Sequence, residues 1–433
     1  MLRRKILQLN NFFQRNHNQA IEQSIITLNR ANLDKLENSI LKTNSFKYTT
    51  KDIPFWVQNA MINLSADMPS KTISHDARLL ANIIEKEDKI SEQYKDRLEN
   101  GLSTTKEIVN SKLLSIAQGR ERKVDKQIKS SQLQVYNEYS ALLYLLNMSL
   151  RKYNLLCKIF QEISCKHDGF KPLHILDYNA GVGSTTWAAN EVWRETIKST
   201  VNCEDSKHLS QLCQRVHKAN PEIQKFPSFI YRRLAIPSNQ TFDLVVSAYF
   251  LNSLQSSGQL KTLIRDLSNC VATGGYAVFI ASSASRQIFK SLLQIRQQLF
   301  KQNFVIISPC PHDLKCPAIE SNAICKFTGK VKVPVLDNLH NQNAIDEEFT
   351  YSYLVLQKCS DETSYRTKYP RLISSTKHNT LKSQRAISRI LCFPDGNLCN
   401  INCTLKHNSN LHQLLRSRNS QDELPIKKKS RKS

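Results

Sequence analysis

The sequence predicts an α/β protein with a doubly wound parallel sheet, led by a helical region. From about Gly169 onward, short β-rich runs (LHILDYN, IKSTVNC, SFIYRRL, FDLVVSAYF and YAVFIAS) are separated by helical stretches. Strands alternating with helices return each strand to the same sheet in the same direction. Before them, from about Phe46 to Ser164, apolar residues recur three and four apart in ISHDARLLANIIEKEDKISEQYKDRLEN and SALLYLLNMSLRKYNLLCKIFQEI, the spacing of helices that bury one face.

Five segments follow in chain order. Residues 1–45 are expected to be a mitochondrial transit peptide and flexible lead: Arg3, Arg4, Lys5 and Arg15 precede any acid before Glu22, and Leu2, Ile6, Leu9 and Phe13 fall at helical spacing. A secretory signal would need an unbroken apolar stretch, so the address is the mitochondrial matrix. A basic helix kept in the mature protein, resting on RNA or a membrane, is the competing reading. Residues 46–164 form the helical region, whose GRERKVDKQIK reads as a solvated face before a phosphate track. Residues 165–305 hold the sheet, with Gly274-Gly275 marking entry into YAVFIAS. Residues 306–405 carry a cysteine-bearing segment, the strand YSYLVLQK and a last strand, ISRILCF, before the turn Pro394-Asp395-Gly396. Residues 406–433 are expected to be a basic, disordered tail ending in Lys427, Lys428, Lys429, Arg431 and Lys432; a nuclear address is the weaker reading of that run.

Composition narrows the function. The 433 residues are enough for about two to three domains, and 61 Lys and Arg against 37 Asp and Glu leave a net charge of +24. That excess draws polyanions, nucleic acid first. The longest apolar stretch, around Ala141 to Leu150, is too short to span a bilayer, so no integral membrane association is expected. Twelve cysteines are too few for a disulfide scaffold, and Cys157, Cys165, Cys203, Cys213 and Cys270 read as free thiols.

Two constellations carry chemistry. In HILDYNAGVGSTTWAANEVW a strand ends in Asp177 and turns through Gly181 and Gly183 into a helix. Glycine removes the Cβ that would block a ligand, and the helix start offers free amides. Thr186 stands where a dinucleotide fingerprint has its third glycine, so S-adenosylmethionine is the better ligand, with Glu204 placed for ribose hydroxyls. The second is PCPHDLKCPAIESNAICKF, which gathers Cys310, Cys316 and Cys325, with Cys392 following on the last strand. Four thiolates suit a tetrahedral zinc or a four-iron, four-sulfur cluster, and the spacing leaves the choice open. Cys359, Cys399 and Cys403 are the spare candidates. Pro309-Cys310 also has the form of a cytosine-C5 methyltransferase nucleophile, a weak reading because two more cysteines share its loop.

YNEYSALLYLLNMSLRKYN, FKPLHILDYNAGVGSTTWAA, FDLVVSAYFLNSL and CPHDLKCP with Cys325, followed by YSYLVLQK, YPRLI and ILCFPDG, resemble the mitochondrial small-ribosomal-subunit methyltransferase-like family from about Tyr136 to Gly396. The resemblance implies a Rossmann-like, seven-stranded S-adenosylmethionine (SAM) methyltransferase fold with a C-terminal four-cysteine metal-cluster segment. It implies a 4Fe-4S cluster on Cys310, Cys316, Cys325 and Cys392, with zinc as the alternative, and a cofactor turn at Asp177, Gly181, Gly183 and Glu204. It also implies action in small-subunit assembly on mitochondrial rRNA and ribosomal proteins, as a monomer on the ribosome. Asn179 replaces the first glycine of the turn usual in such enzymes. Ser247, Ala248, Tyr249 and Phe250 stand where a base-gripping N/D-P-P-aromatic clamp belongs, and the loop from Ser282 through Ala284 to Ile288 offers no acid. No catalytic residue is assigned, and methyl transfer is expected to be lost. An active rRNA methyltransferase is the alternative, and an iron-sulfur sensor of cluster supply a third reading.

Overall fold

Contacts in the computed structural model divide the chain into two units, residues 48–291 with 329–351, and residues 1–47 with 292–328 and 352–433. The structure describes residues 26–40, 51–86, 90–91, 127–128, 136–219, 228–231, 240–253, 257–282, 286–320, 324–334, 344–359, 369–373, 377–379, 386–418 and 422–426. The amino-terminal basic helix, the cations of GRERKVDKQIK, Ala284 and the last lysine run lie outside them.

The first unit is the wound sheet. Strands β1 (His174–Tyr178), β2 (Ser199–Cys203), β3 (Ser228–Tyr231), β4 (Phe242–Ala248) and β5 (Val271–Ser282) pair in parallel in the order β3-β2-β1-β4-β5. Helices Ser184–Trp193, Lys207–Lys218 and Ser257–Cys270 make crossovers between them. All five residues of β2 are buried, as a strand covered on both faces requires. The order reverses between β1 and β4, so their carboxyl ends, just past Tyr178 and Ala248, open at the switch point where such sheets take ligands.

Three further strands are β6 (Phe304–Ser308), β7 (Phe327–Pro334) and β8 (Ala344–Lys358). β8 follows β5 in the strand order with β7 beyond it. In the second unit the end of β8 pairs antiparallel with β6. The sheet is therefore mixed rather than wholly parallel, and β7 is an addition to the seven strands expected. The alternation in FTGKVKVP is short and lysine-rich, which hid it. The Gly274-Gly275 pair also differs from its expected role: it lies inside β5, not ahead of it. Gly274 has φ +81°, and the register jumps there, with Val271 opposite Phe242 but Tyr276 opposite Leu244. The glycines form a bulge, and a Cβ on Gly275 would meet the carbonyls of Ala272 and Asp243 at 2.8 and 2.9 Å.

The helical region supplies Phe55–Ser65, Ser70–Lys86 and a run from Glu138 to Lys166. Asn137 opens that run with a reciprocal cap to Ser140. Within it, Tyr144–Met148 is π-helical, an extra-residue loosening of the helix that re-aims side chains. A buried ion network braces this turn: Arg151 binds Glu85 at 2.6 Å and Glu347 at 2.8 Å, and Glu347 also accepts from Asn147 at 3.0 Å and Arg78 at 2.7 Å.

In the second unit, strand Ala386–Cys392 pairs antiparallel with Leu398–Thr404, Arg371–Leu372 and Lys377–Asn379, while Ile26–Thr27 adds in parallel to Leu398–Thr404. Helices Arg30–Glu37 and Ser409–Arg416 cover it, burying Leu33, Leu36, Leu411 and Leu415 with Leu391, Ile401, Leu424 and Ile426. Two expectations change here. Within the lead, Ile26–Thr27 and Arg30–Glu37 are folded, and within the tail Ser409–Arg416, Leu424 and Ile426 are, because each holds enough apolar residues to join this core. Among the described residues no helix is long and apolar enough to cross a membrane.

Candidate functional site: the glycine turn and the thiol group

The turn after β1 has the backbone that its glycines predict. Gly181 and Gly183 sit at φ +63° and +84°, and Gly183 caps the helix Ser184–Trp193. Asn179, which stands in for a glycine, takes φ +69°, a conformation asparagine tolerates better than most residues. The backbone of the turn therefore survives that replacement.

Side chains fill the space the glycines leave. A Cβ on Gly181 would lie 2.9 Å from both Cε1 and the hydroxyl of Tyr144, and one on Gly183 would lie 2.4 Å from His217 Nε2. Tyr144 belongs to the π-turn, and Tyr136 packs edge-on against it at 5.8 Å. Burial, then the charges of Tyr136, Glu204, Asp177 and Tyr249, hold the Tyr144 phenol far above its ordinary pKa. The phenol thus stands among the ends of β1, β2 and β4. Tyr249, just past β4 at φ +63°, has a buried hydroxyl with no hydrogen-bond partner, as does Ser247.

The two acids are turned inward. Asp177 is 1% exposed, with both carboxylate oxygens 3.4 Å from the Lys152 ammonium, which also donates to the carbonyls of Asn179 at 3.2 Å and Ala180 at 3.1 Å. Lys152 itself is wholly buried. Glu204 accepts from the Gly181 amide at 2.7 Å and the Ser206 amide at 2.9 Å. Burial raises its carboxyl pKa, against the pull of those amides and Lys152. One oxygen thus serves the glycine turn and the other the cap of the helix Lys207–Lys218, whereas the sequence suggests ribose hydroxyls as its partners. Tyr144 and Lys152 were not assigned a role from the sequence. The available signal was two adjacent cations, Arg151 and Lys152, directly after the apolar run ALLYLLNMSL.

The four thiols all belong to the second unit. Cys310, Cys316 and Cys325 lie on the connection after β6, and Cys392 ends the strand Ala386–Cys392. Burial is the main cause of the rise in all four thiol pKa values, Cys316 to about 11. The Cys310 thiol adds to the rise at each of the other three, and Cys316 and Cys392 add to it at Cys325. Two buried arginines act the other way. Arg296 donates to the carbonyls of His312 at 3.2 Å and Leu314 at 2.6 Å, clamping the loop between Cys310 and Cys316. Arg371 bonds Glu423 at 2.8 Å and the Ser308 hydroxyl at 3.3 Å. His312, inside CPHDLKCP, brings Nε2 to 3.4 Å from the Cys392 sulfur. Among the described residues no three His, Cys, Asp or Glu side chains are placed to hold a single metal ion. Cys399 and Cys403 are buried in the sheet core, apart from this group, and Cys359 follows the end of β8.

The sequence model of the family described as mitochondrial small ribosomal subunit Rsm22 matches residues 138–425, which takes in the glycine turn and all four thiols. The chain belongs to the Rsm22 family. Among relatives, human mitochondrial ribosome assembly protein METTL17 is 25% identical over 305 residues, covering 67% of this chain and 64% of that protein. Rsm22-cox11 tandem protein 2, mitochondrial, of Schizosaccharomyces pombe is 24% identical over 216 residues, 46% of this chain and 28% of the relative. The match thus spans less than two thirds of either relative. A SAM-dependent O-methyltransferase of Thermotoga maritima is similar in structure at TM-score 0.30 and 12% identity, covering 48% of this chain and 67% of its own. The Rsm22 match begins at Glu138, where the helical run that carries Tyr144, Arg151 and Lys152 starts.

Proposed function

We propose that this Rsm22-family chain is a mitochondrial small-subunit assembly factor acting in the matrix as a monomer on the ribosome. In this reading it binds small-subunit rRNA through its basic surface and uses a methyltransferase-type sheet without transferring methyl groups. The observation that carries the non-catalytic part is the filled turn. The Tyr144 phenol stands against Gly181 where SAM would approach the turn, each Glu204 oxygen already accepts from a backbone amide, and Asp177 is paired with Lys152. Ser247, Ala248, Tyr249 and Phe250 are not the residues of a base-gripping clamp.

The thiol group fits a 4Fe-4S cluster held by Cys310, Cys316, Cys325 and Cys392. Zinc draws each sulfur to about 2.3 Å from one ion. A cubane holds its thiolates further apart. Such a cluster carries net negative charge with its thiolates, and Arg296 and Arg371 stand by to offset it. When bound it would cross-link the loop after β6 to the strand that ends at Cys392. The residues themselves do the rest: Arg296 fixes the loop carbonyls, Ser352 holds the Cys325 carbonyl at 2.6 Å, and burial keeps water from the sulfurs.

Two measurements test the reading. Equilibrium dialysis of the full chain against labelled SAM is expected to show no stoichiometric binding. Methylation maps of small-subunit rRNA are expected to be unchanged when the gene is deleted, while assembly fails. A mark that disappears and returns with wild type but not with Asp177→Ala would overturn the non-catalytic reading and install the active methyltransferase. Anaerobic purification is expected to give about four irons and four sulfides per chain with a broad visible band, and one zinc without sulfide would remove the cluster.

A further inference from the structure

We infer that the groove along the outer face of the helix Lys207–Lys218 is a seat for an RNA sugar-phosphate backbone. This names the contact surface for the RNA-binding part of the reading above and rests on it. The helix separates its faces cleanly: Leu209, Leu212, Cys213, Val216 and His217 are buried, while Lys207, Gln211, Gln214, Arg215 and Lys218 are exposed. Those exposed positions follow helical spacing, so they form one stripe, and they line a groove of about 340 Å³ whose opposite wall begins at Glu138.

The charges are not explained by the helix alone. Cations in the last turn, Arg215 and Lys218, suit the negative end of the helix dipole. Lys207 does not. It occupies the first turn, which holds no acid, where a positive charge opposes the dipole. The single acid of the groove, Glu138, reaches Arg215 only at 4.0 Å with both side chains well exposed, a contact worth little. From Lys207 to Lys218 the helix rises about 16 Å, the reach of a few consecutive phosphates. Between the cations, Gln211 and Gln214 present both donors and acceptors, which match phosphate oxygens and 2′-hydroxyls without demanding a base. A groove of this size takes an extended chain, and a chain with net charge +24 selects an anionic one. An acidic peptide would seek fixed side-chain pockets as well as charge, and this stripe consists of long flexible polar side chains. RNA is the occupant the surface favours.

The test uses full-length protein and its triple variant Lys207→Gln/Arg215→Gln/Lys218→Gln, with fluorescence anisotropy of a labelled mixed-sequence RNA of about 20 nucleotides across a salt series. The substitutions sit on an exposed face, and superimposable thermal melts establish that the variant is folded. The wild type is expected to bind, with the variant weaker by tenfold or more near 0.1 M salt. Its log-log salt slope is expected to be shallower by about two, from three lost phosphate contacts at about 0.7 each. If wild type binds RNA and the variant matches it in affinity and slope, the groove assignment is wrong while RNA binding stands. If the wild type binds no RNA at low salt, the RNA reading itself fails. If the variant loses a polyglutamate peptide but keeps RNA, the groove belongs to an acidic protein and the inference is overturned.

Discussion

Replacing Lys152 with methionine is the sharpest probe of the filled turn. Methionine keeps most of the length and the apolar stem but removes the ammonium from Asp177 and from the carbonyls of Asn179 and Ala180. Asp177 is 1% exposed, so its carboxylate would be left in the interior without a counter-charge. Removing one member of a buried pair costs about 3–5 kcal/mol, a large part of the roughly 5–15 kcal/mol that holds a domain together. The double variant Lys152→Met/Asp177→Asn removes both charges and keeps an amide at the strand end, so it is expected to recover at least about 2 kcal/mol of that loss. Urea denaturation followed by tryptophan fluorescence reads the effect directly, because Trp187 lies on the helix that follows the turn and packs edge-on against Trp56 at 5.7 Å. A loss below about 1 kcal/mol in the single variant, or a double variant no better than the sum of the singles, would refute the claim that Lys152 neutralises the acid of the turn.

Tyr144→Ala is expected to create measurable SAM binding by calorimetry where wild type shows none, at a stability cost of about 3–5 kcal/mol for emptying a buried aromatic site; a folded variant that still binds nothing would mean that another group closes the crevice. Gly183→Ala places a methyl 2.4 Å from His217 Nε2 at φ +84° and is expected to cost at least about 2 kcal/mol in a thermal or urea melt. Burial lowers the His217 pKa from 6.5 to about 4, so the folded state favours the neutral ring. Its contribution is complete above pH 6.5 and drains away as pH falls toward 4, by up to about 1.4 kcal/mol per unit, and melts of His217→Asn are expected to lose that dependence. Cys392→Ser is expected to strip most iron from anaerobically purified protein while Cys403→Ser leaves it; equal iron in the two would exclude Cys392 as a ligand.

Much of the wound sheet was legible because its signals are local. HILDY, STVNC and FDLVVSA are short β-branched runs bounded by turn residues, and Gly181 and Gly183 announce the positive backbone angles they adopt. What was not legible depends on distant partners. Nothing near Lys152 in the sequence says that it reaches a carboxylate 25 residues on, and a π-turn at Tyr144–Met148 leaves no mark in an apolar run. The glycine pair in β5 read as an entry point because a bulge and a turn call for the same residue. At the thiols, Cys310, Cys316, Cys325 and the later Cys392 are visible in the sequence, whereas the influence of Arg296 and Arg371 on them required the strands to be folded first. Leu411, Leu415, Leu424 and Ile426 were overshadowed by the basic run that follows them, which made a folded segment resemble a tail.

The strand Ile26–Thr27 and helix Arg30–Glu37 find their partners near the opposite terminus: Asn408 bonds Asp34 across 374 positions and Glu37 across 371, and Ile40 bridges Ile426. That unit therefore cannot close until the chain has emerged through Ile426. Its early segment must wait, unpaired, through the synthesis or threading of everything between, which makes this half the slower to mature. A stop codon just after Cys403 would spare the glycine turn and every thiol named above, yet remove Leu411, Leu415, Leu424 and Ile426 from the core that covers Leu33 and Leu36.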